Sequence, residues 1–180
     1  CLAPGCGKGV KEKIAEKIIL NYGQAQSWYA AAPGEKEVYD FVIITLDALT
    51  SAVAPLANWE ITKGRSVNVV TTAWISANYT GYDLAEQIRN FLRDKYPSGQ
   101  WGIEDVLLVG HYDDVPMRRC AQDIGGGEPE TDYYYAELSL PDSQSWDADQ
   151  DHRWGEDSDP IDFYTEVNVG RIPWSEPSTV

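Results

Sequence analysis

Two histidines and three cysteines are all that 180 residues provide of the side chains most used for nucleophilic and proton-transfer chemistry. His111 follows an apolar run, with Asp113 and Asp114 close by, and an imidazole there could draw the proton from the Cys120 thiol. Nothing in the spacing fixes such a pair. A surface histidine and an incidental cysteine are the simpler reading, and no catalytic residue is assigned. The cysteines say as little about disulfides. Cys1 and Cys6 can bridge or can lie in a loose Gly/Pro-rich end, and Cys120 is then left over. No run approaches the roughly 18 apolar residues that a membrane span needs. Positive charge is short as well: 14 basic residues stand against 29 acidic ones, a net of -15. That balance excludes nucleic acid as a partner, because phosphate binding needs the opposite sign. A phosphate loop is missing too, since Gly125-Gly126-Gly127 neither follows a strand nor opens a helix. The chain opens on Cys1 without a Met or a secretion signal, which reads as a fragment or a processed product.

What the sequence does have is negative charge in one place. Residues 128–166 hold 13 acidic side chains against Arg153 alone, whereas residues 1–127 carry 15 acidic and 12 basic ones. A general surface adaptation would have coated the helices too, so the cause is local. At the centre lies W-D-A-D-Q-D-H-R-W-G-E-D, residues 146–157, with Asp147, Asp149 and Asp151 on alternate positions. Either water solvates these carboxylates or a hard cation sits among them. Counting Asp147 as position 1 places Asp149 at 3, Asp151 at 5 and the Arg153 carbonyl at 7, the first half of a calcium loop of EF-hand type. The second half departs, with His152 where glycine belongs and Ser158 where a bidentate Glu belongs. Glu156, Asp157 or Asp159 would then complete the shell by another path. Alternate aspartates are costly without a counterion, so Ca2+ is the expected cofactor.

The remaining pattern predicts an α/β fold, a mainly parallel sheet flanked by helices. Residues 1–37 read as an amphipathic helix (10–22) and a linker. Val38–Leu46 is apolar on both faces, as a buried strand is, and a helix capped by Ser51 runs to about Lys63. Val67–Thr71 is the second strand. Thr80-x-x-Asp83 resembles a capping box for a helix presenting Leu84, Ile88, Phe91 and Leu92. Val106–Val109 is the third strand, stopped by Gly110. This alternation is the rhythm of crossovers onto a parallel sheet. Asp132–Leu138 and Phe163–Ile172 read as two further strands, forming an elaborated antiparallel hairpin around the acidic loop 139–162.

Three blocks in order, V-L-L-V-G-H-Y-D-D-V-P at 106–116, T-D-Y-Y-Y-A at 131–136 and V-N-V-G-R-I-P at 167–173, resemble the gingipain family of cysteine endopeptidases. The likeness covers residues 38–174. It implies a secreted or cell-surface, calcium-stabilised peptidase whose catalytic domain has a caspase-like α/β fold in two subdomains. This chain is similar to the first, and residues 175–180 would begin the link to the second, which holds the His-Gly and Cys dyad. Neither histidine here precedes glycine, and His111 stands where the family often has Asp. The resemblance therefore implies a non-catalytic N-terminal subdomain partnered by a catalytic one, acting together on protein or peptide substrates. The alternative is a calcium-dependent extracellular binding or adhesion module without peptidase activity.

Overall fold

The computed structural model describes residues 37–121, 127–139, 145–161 and 163–177, and Val38–Val180 form one compact unit. The helix expected at 10–22 and the Cys1–Cys6 pair lie outside the described residues.

Strand β1 (Phe41–Thr45) is buried along its whole length. It pairs in parallel with β2 (Val67–Thr71) on one side and with β3 (Asp105–Val109) on the other. β6 (Asn168–Ile172) completes the sheet beside β3, also parallel, with Val106 opposite Val169 and Leu108 opposite Arg171, giving the order β2-β1-β3-β6. Successive side chains of a strand face opposite ways, and β1 feeds two cores. Val42 and Ile44 join Ile75, Ile88, Phe91, Leu92, Val106 and Leu108 on one face. Phe41 and Ile43 join Leu49, Val53, Ala57 and Val109 on the other. A sheet covered on both faces must be apolar on both, which is why β1 reads as an unbroken hydrophobic run.

The helices differ from expectation at their starts. Helix α1 (Thr50–Thr62) is preceded by a 3₁₀ turn, Asp47–Leu49, and its N-cap is Leu49 rather than Ser51. A seven-residue helix, α2 (Thr72–Asn78), follows β2 directly and is capped by Thr71, whose Oγ1 accepts from the Trp74 N–H at 3.2 Å. Helix α3 (Leu84–Lys95) begins one capping box later than expected. Asp83 accepts from the Glu86 N–H at 2.9 Å, and the Glu86 carboxylate reaches back to the Tyr82 N–H. The box is Asp83-x-x-Glu86, and Thr80 lies outside it. The reason is close approach at Gly81, where a Cβ would stand 2.9 Å from the Gln87 backbone nitrogen. The chain crosses the first turn of α3 there instead of entering it.

The expected hairpin around the acidic loop does not form. Tyr133–Tyr135 is a 3₁₀ turn with Tyr134 and Tyr135 buried, and of the run 163–172 only Asn168–Ile172 is a strand, parallel to its neighbour. The two ends of the loop do meet, because the Ala136 carbonyl accepts from Glu166 N–H at 3.0 Å. Val167 N–H shares that carbonyl at 3.4 Å and the Glu166 carboxylate accepts from the Leu138 N–H, but no ladder forms. The aromatic run is drawn into the core beneath α3, where turns bury two tyrosines that a solvent-edged hairpin would leave half wet. A two-stranded antiparallel ribbon, β4 (Arg118–Arg119) with β5 (Glu130–Thr131), lies elsewhere.

Candidate metal centre

The acidic segment starts from a fixed point. Trp146 is 5% exposed, and its indole Nε1–H donates to Glu137 Oε2 at 2.5 Å. Its carbonyl accepts from the Gly155 N–H at 2.9 Å, closing residues 146–155 into a ring. Gln150 and His152 take positive φ (62° and 68°), so the chain coils tightly. Within the coil one carboxylate oxygen from each of Asp147, Asp149 and Asp151 lies within 4.8 Å of the others. Calcium holds its oxygens at about 2.4 Å, so two ligands of one ion stand at most about 5 Å apart. The donor set therefore fits a hard divalent cation. Asp147 is 8% exposed, and among the described residues its carboxylate has only long contacts, from His152 N–H at 3.3 Å and His152 Nδ1 at 3.4 Å. Asp151 accepts from the Arg153 N–H at 2.8 Å, and Asp149 from the Asp151 N–H at 3.4 Å; these bonds orient the carboxylates and leave lone pairs over.

The other expected ligands do different things. The Arg153 guanidinium pairs with Glu156. Partial desolvation, together with Asp151, Asp149 and Asp159, holds the Glu156 carboxyl above the usual range, against the pull of Arg153. Asp157 is exposed and stands outside the cluster. Asp159 has both oxygens occupied: Oδ1 accepts from Ala148 N–H at 2.8 Å, and Oδ2 from Gly155 and Glu156 N–H at 2.8 and 3.0 Å. It is a clasp between the two ends of the coil.

A cleft of roughly 880 Å³ is lined by Asp83, Tyr112, Arg118, Cys120, His152 and Trp154 among others. Arg118 binds Asp83 through both terminal nitrogens, at 2.8 and 2.7 Å. Its guanidinium lies 3.8 Å over Trp154 and 4.6 Å over Tyr134. Asp83 is desolvated, yet Arg118 and the Glu86 N–H hold its carboxyl below the usual range. Cys120 is half-buried, and that burial pushes its thiol up despite Arg118. No hydrogen bond joins it to His111, whose Nδ1 is 3.1 Å from Asp113 Oδ2. The sequence did not point to Arg89 or Glu137, and it offered Asp159 as a ligand rather than as a clasp. For Arg89 a signal existed: it sits four residues after Ala85 and three before Leu92, on the buried face of α3.

The described residues from Val38 onward thus form a three-layer α/β domain that carries an oxygen-rich loop on its last crossover. The chain belongs to peptidase family C25, the gingipain family of cysteine peptidases, whose model matches residues 35–180. Its structure is similar to gingipain R (RGPB), described as an Arg-specific cysteine proteinase, at a TM-score of 0.54 and 20% identity, covering 83% of this chain and 28% of that one. It is similar also to dimeric latent PorU from Porphyromonas gingivalis, at a TM-score of 0.58 and 19% identity, covering 80% and 15%. At such identities the likeness is one of fold. The chain spans under a third of the length of either protein. No curated protein matches it. No described helix is long and apolar enough to cross a membrane.

Proposed function

We propose that this chain is the non-catalytic N-terminal subdomain of a secreted or cell-surface gingipain-like cysteine endopeptidase, with Ca2+ bound by Asp147, Asp149 and Asp151 and the Arg153 carbonyl as a further oxygen. The observation that carries the reading is the family match across residues 35–180 on a domain in which, among the described residues, no hydrogen bond joins Cys120 to a histidine: its thiol faces the Arg118 carbonyl, while His111 and His152 pair with Asp113 and Asp147. In the parent enzyme a second subdomain would supply the thiolate that attacks the peptide carbonyl and the imidazole that carries the proton. Calcium would supply a fixed positive charge that offsets the clustered carboxylates and ties the loop together.

This chain's own contribution is a rigid rim at the carboxyl ends of its strands, the usual place for function in an α/β sheet. Arg171 on β6 donates to the carbonyls of Gly110 and Val115, at 3.0 and 2.8 Å. It also grips Asp132 through Nε and Nη2, at 2.6 and 2.7 Å. The loop leaving β3 is thereby pinned to the neighbouring strand. Incubating the purified chain with a broad peptide library tests the non-catalytic role. No hydrolysis is expected, and turnover that disappears in Cys120→Ala would overturn the reading.

A further inference from the structure

Glu137 has no exposed surface, and the Arg89 side chain is 3% exposed. Arg89 Nη2 lies 3.1 Å from Glu137 Oε2, and the same oxygen accepts from Trp146 Nε1–H at 2.5 Å and from Ser145 Oγ–H at 3.3 Å. Arg89 further donates to the Tyr134 carbonyl at 2.5 Å and to the Glu137 carbonyl. Burying two ions is expensive, and an apolar pair of the same volume commonly serves stability as well or better. Stability alone therefore explains this pair poorly, whereas its location explains it well. It fixes Ser145 and Trp146, the two residues that lead directly into Asp147. Trp146 is held by its indole from the core side and by the Gly155 N–H from the loop side. Asp147 is thus set by a neighbour that cannot turn, and its weakly partnered carboxylate is aimed where oxygens of Asp149 and Asp151 converge.

We infer that Glu137 and Arg89 are positioning residues for the cation cluster, acting on Asp147 through Trp146 without touching the ion. The inference rests on the cation reading of the preceding section. It extends the machinery of the site from the loop into the core, to a residue on helix α3 more than fifty positions upstream.

Calcium chloride titrated calorimetrically into the wild-type chain, Glu137→Gln and Trp146→Phe tests it, with melting temperatures taken in chelator and in calcium. Both variants are expected to bind about tenfold more weakly or worse, the usual effect of removing a group that orients a ligand. The calcium-induced rise in melting temperature should shrink with the affinity. A merely structural role predicts something else: melting lowered equally in chelator and calcium, with affinity and the calcium-induced rise unchanged. That result overturns the inference. If Glu137→Gln does not fold, Trp146→Phe decides, since it keeps an aromatic ring in place while removing the indole donor and part of the ring's volume. A wild-type chain that binds no calcium sinks the cation reading itself, and the positioning role with it.

Discussion

Arg89 and Glu137 face each other in the core with Nη2 and Oε2 3.1 Å apart, an ion pair closed off from water. Removing one partner leaves the other buried and uncompensated, at a cost of about 3–5 kcal/mol. Glu137→Leu is expected to lower stability by that order in urea denaturation. The double variant Arg89→Met/Glu137→Leu should recover much of the loss. If the double variant is as unstable as the sum of the singles, the two charges do not act as a pair.

Calcium should raise the melting temperature by several degrees, since a ligand of the folded state contributes about 2.7 kcal/mol at a hundredfold excess over its dissociation constant. Magnesium should do much less, because it dehydrates reluctantly and demands a tighter octahedron. Asp149→Ala should remove most of the calcium effect while leaving the sheet intact by circular dichroism. Equal melting in chelator and in millimolar calcium would show that the loop is merely solvated.

Asp159→Ala deprives three backbone N–H groups, those of Ala148, Gly155 and Glu156, of an acceptor. Those of Ala148 and Glu156 are left to water or to nothing, while Gly155 keeps the Trp146 carbonyl, and the expected loss is about 1–3 kcal/mol. Amide hydrogen exchange should quicken at Ala148 and Glu156 first. Unchanged protection there would show that the ring from Trp146 to Gly155 closes without the clasp.

Acid should destabilise the domain through two carboxylates. Desolvation raises the Glu137 pKa, but Ser139, Arg89 and Trp146 together bring it below the ordinary value; Asp83 is depressed likewise by Arg118 and Glu86. A depressed folded-state pKa contributes stability that is complete above the unfolded value, near 4 for these residues, and is lost as pH falls through the folded one. Melting temperature should therefore drop steeply below about pH 4. The fall should be shallower in Asp83→Asn, and an identical pH profile would remove Asp83 from the account.

The parallel sheet was legible because β1, β2 and β3 are short apolar runs separated by segments of helical period, a pattern only a covered sheet needs. The direction of β6 was not legible. Alternation marks a strand but carries no sign, and the direction was decided by where residues 132–167 travel, which depends on Tyr134, Tyr135 and Leu138 entering the core. Helix α2 escaped because seven residues hold too few turns to show a period. Within the loop, one carboxylate oxygen from each of the alternating Asp147, Asp149 and Asp151 comes within 4.8 Å of the others. The clasp of Asp159 was not readable, since three amides converge on it only after Gly155 has turned the chain back at φ 78°.

The register of the sheet has a consequence for how the molecule is made. Phe41 pairs with Asp105, and Asp105 with Asn168, so the central and the last pairings each join residues more than sixty positions apart. Contacts so distant in sequence require large loops to close before they are rewarded, which slows folding. Until β6 arrives, β3 shows a bare edge of Val106, Leu107 and Leu108 to other unfinished copies, the situation in which slow folders aggregate. The stretch that separates β3 from its last partner is also the one carrying almost all of the chain's excess negative charge. Like charge keeps chains apart in solution, so the delay in completing the sheet is spanned by the segment best able to hold neighbouring nascent molecules at a distance.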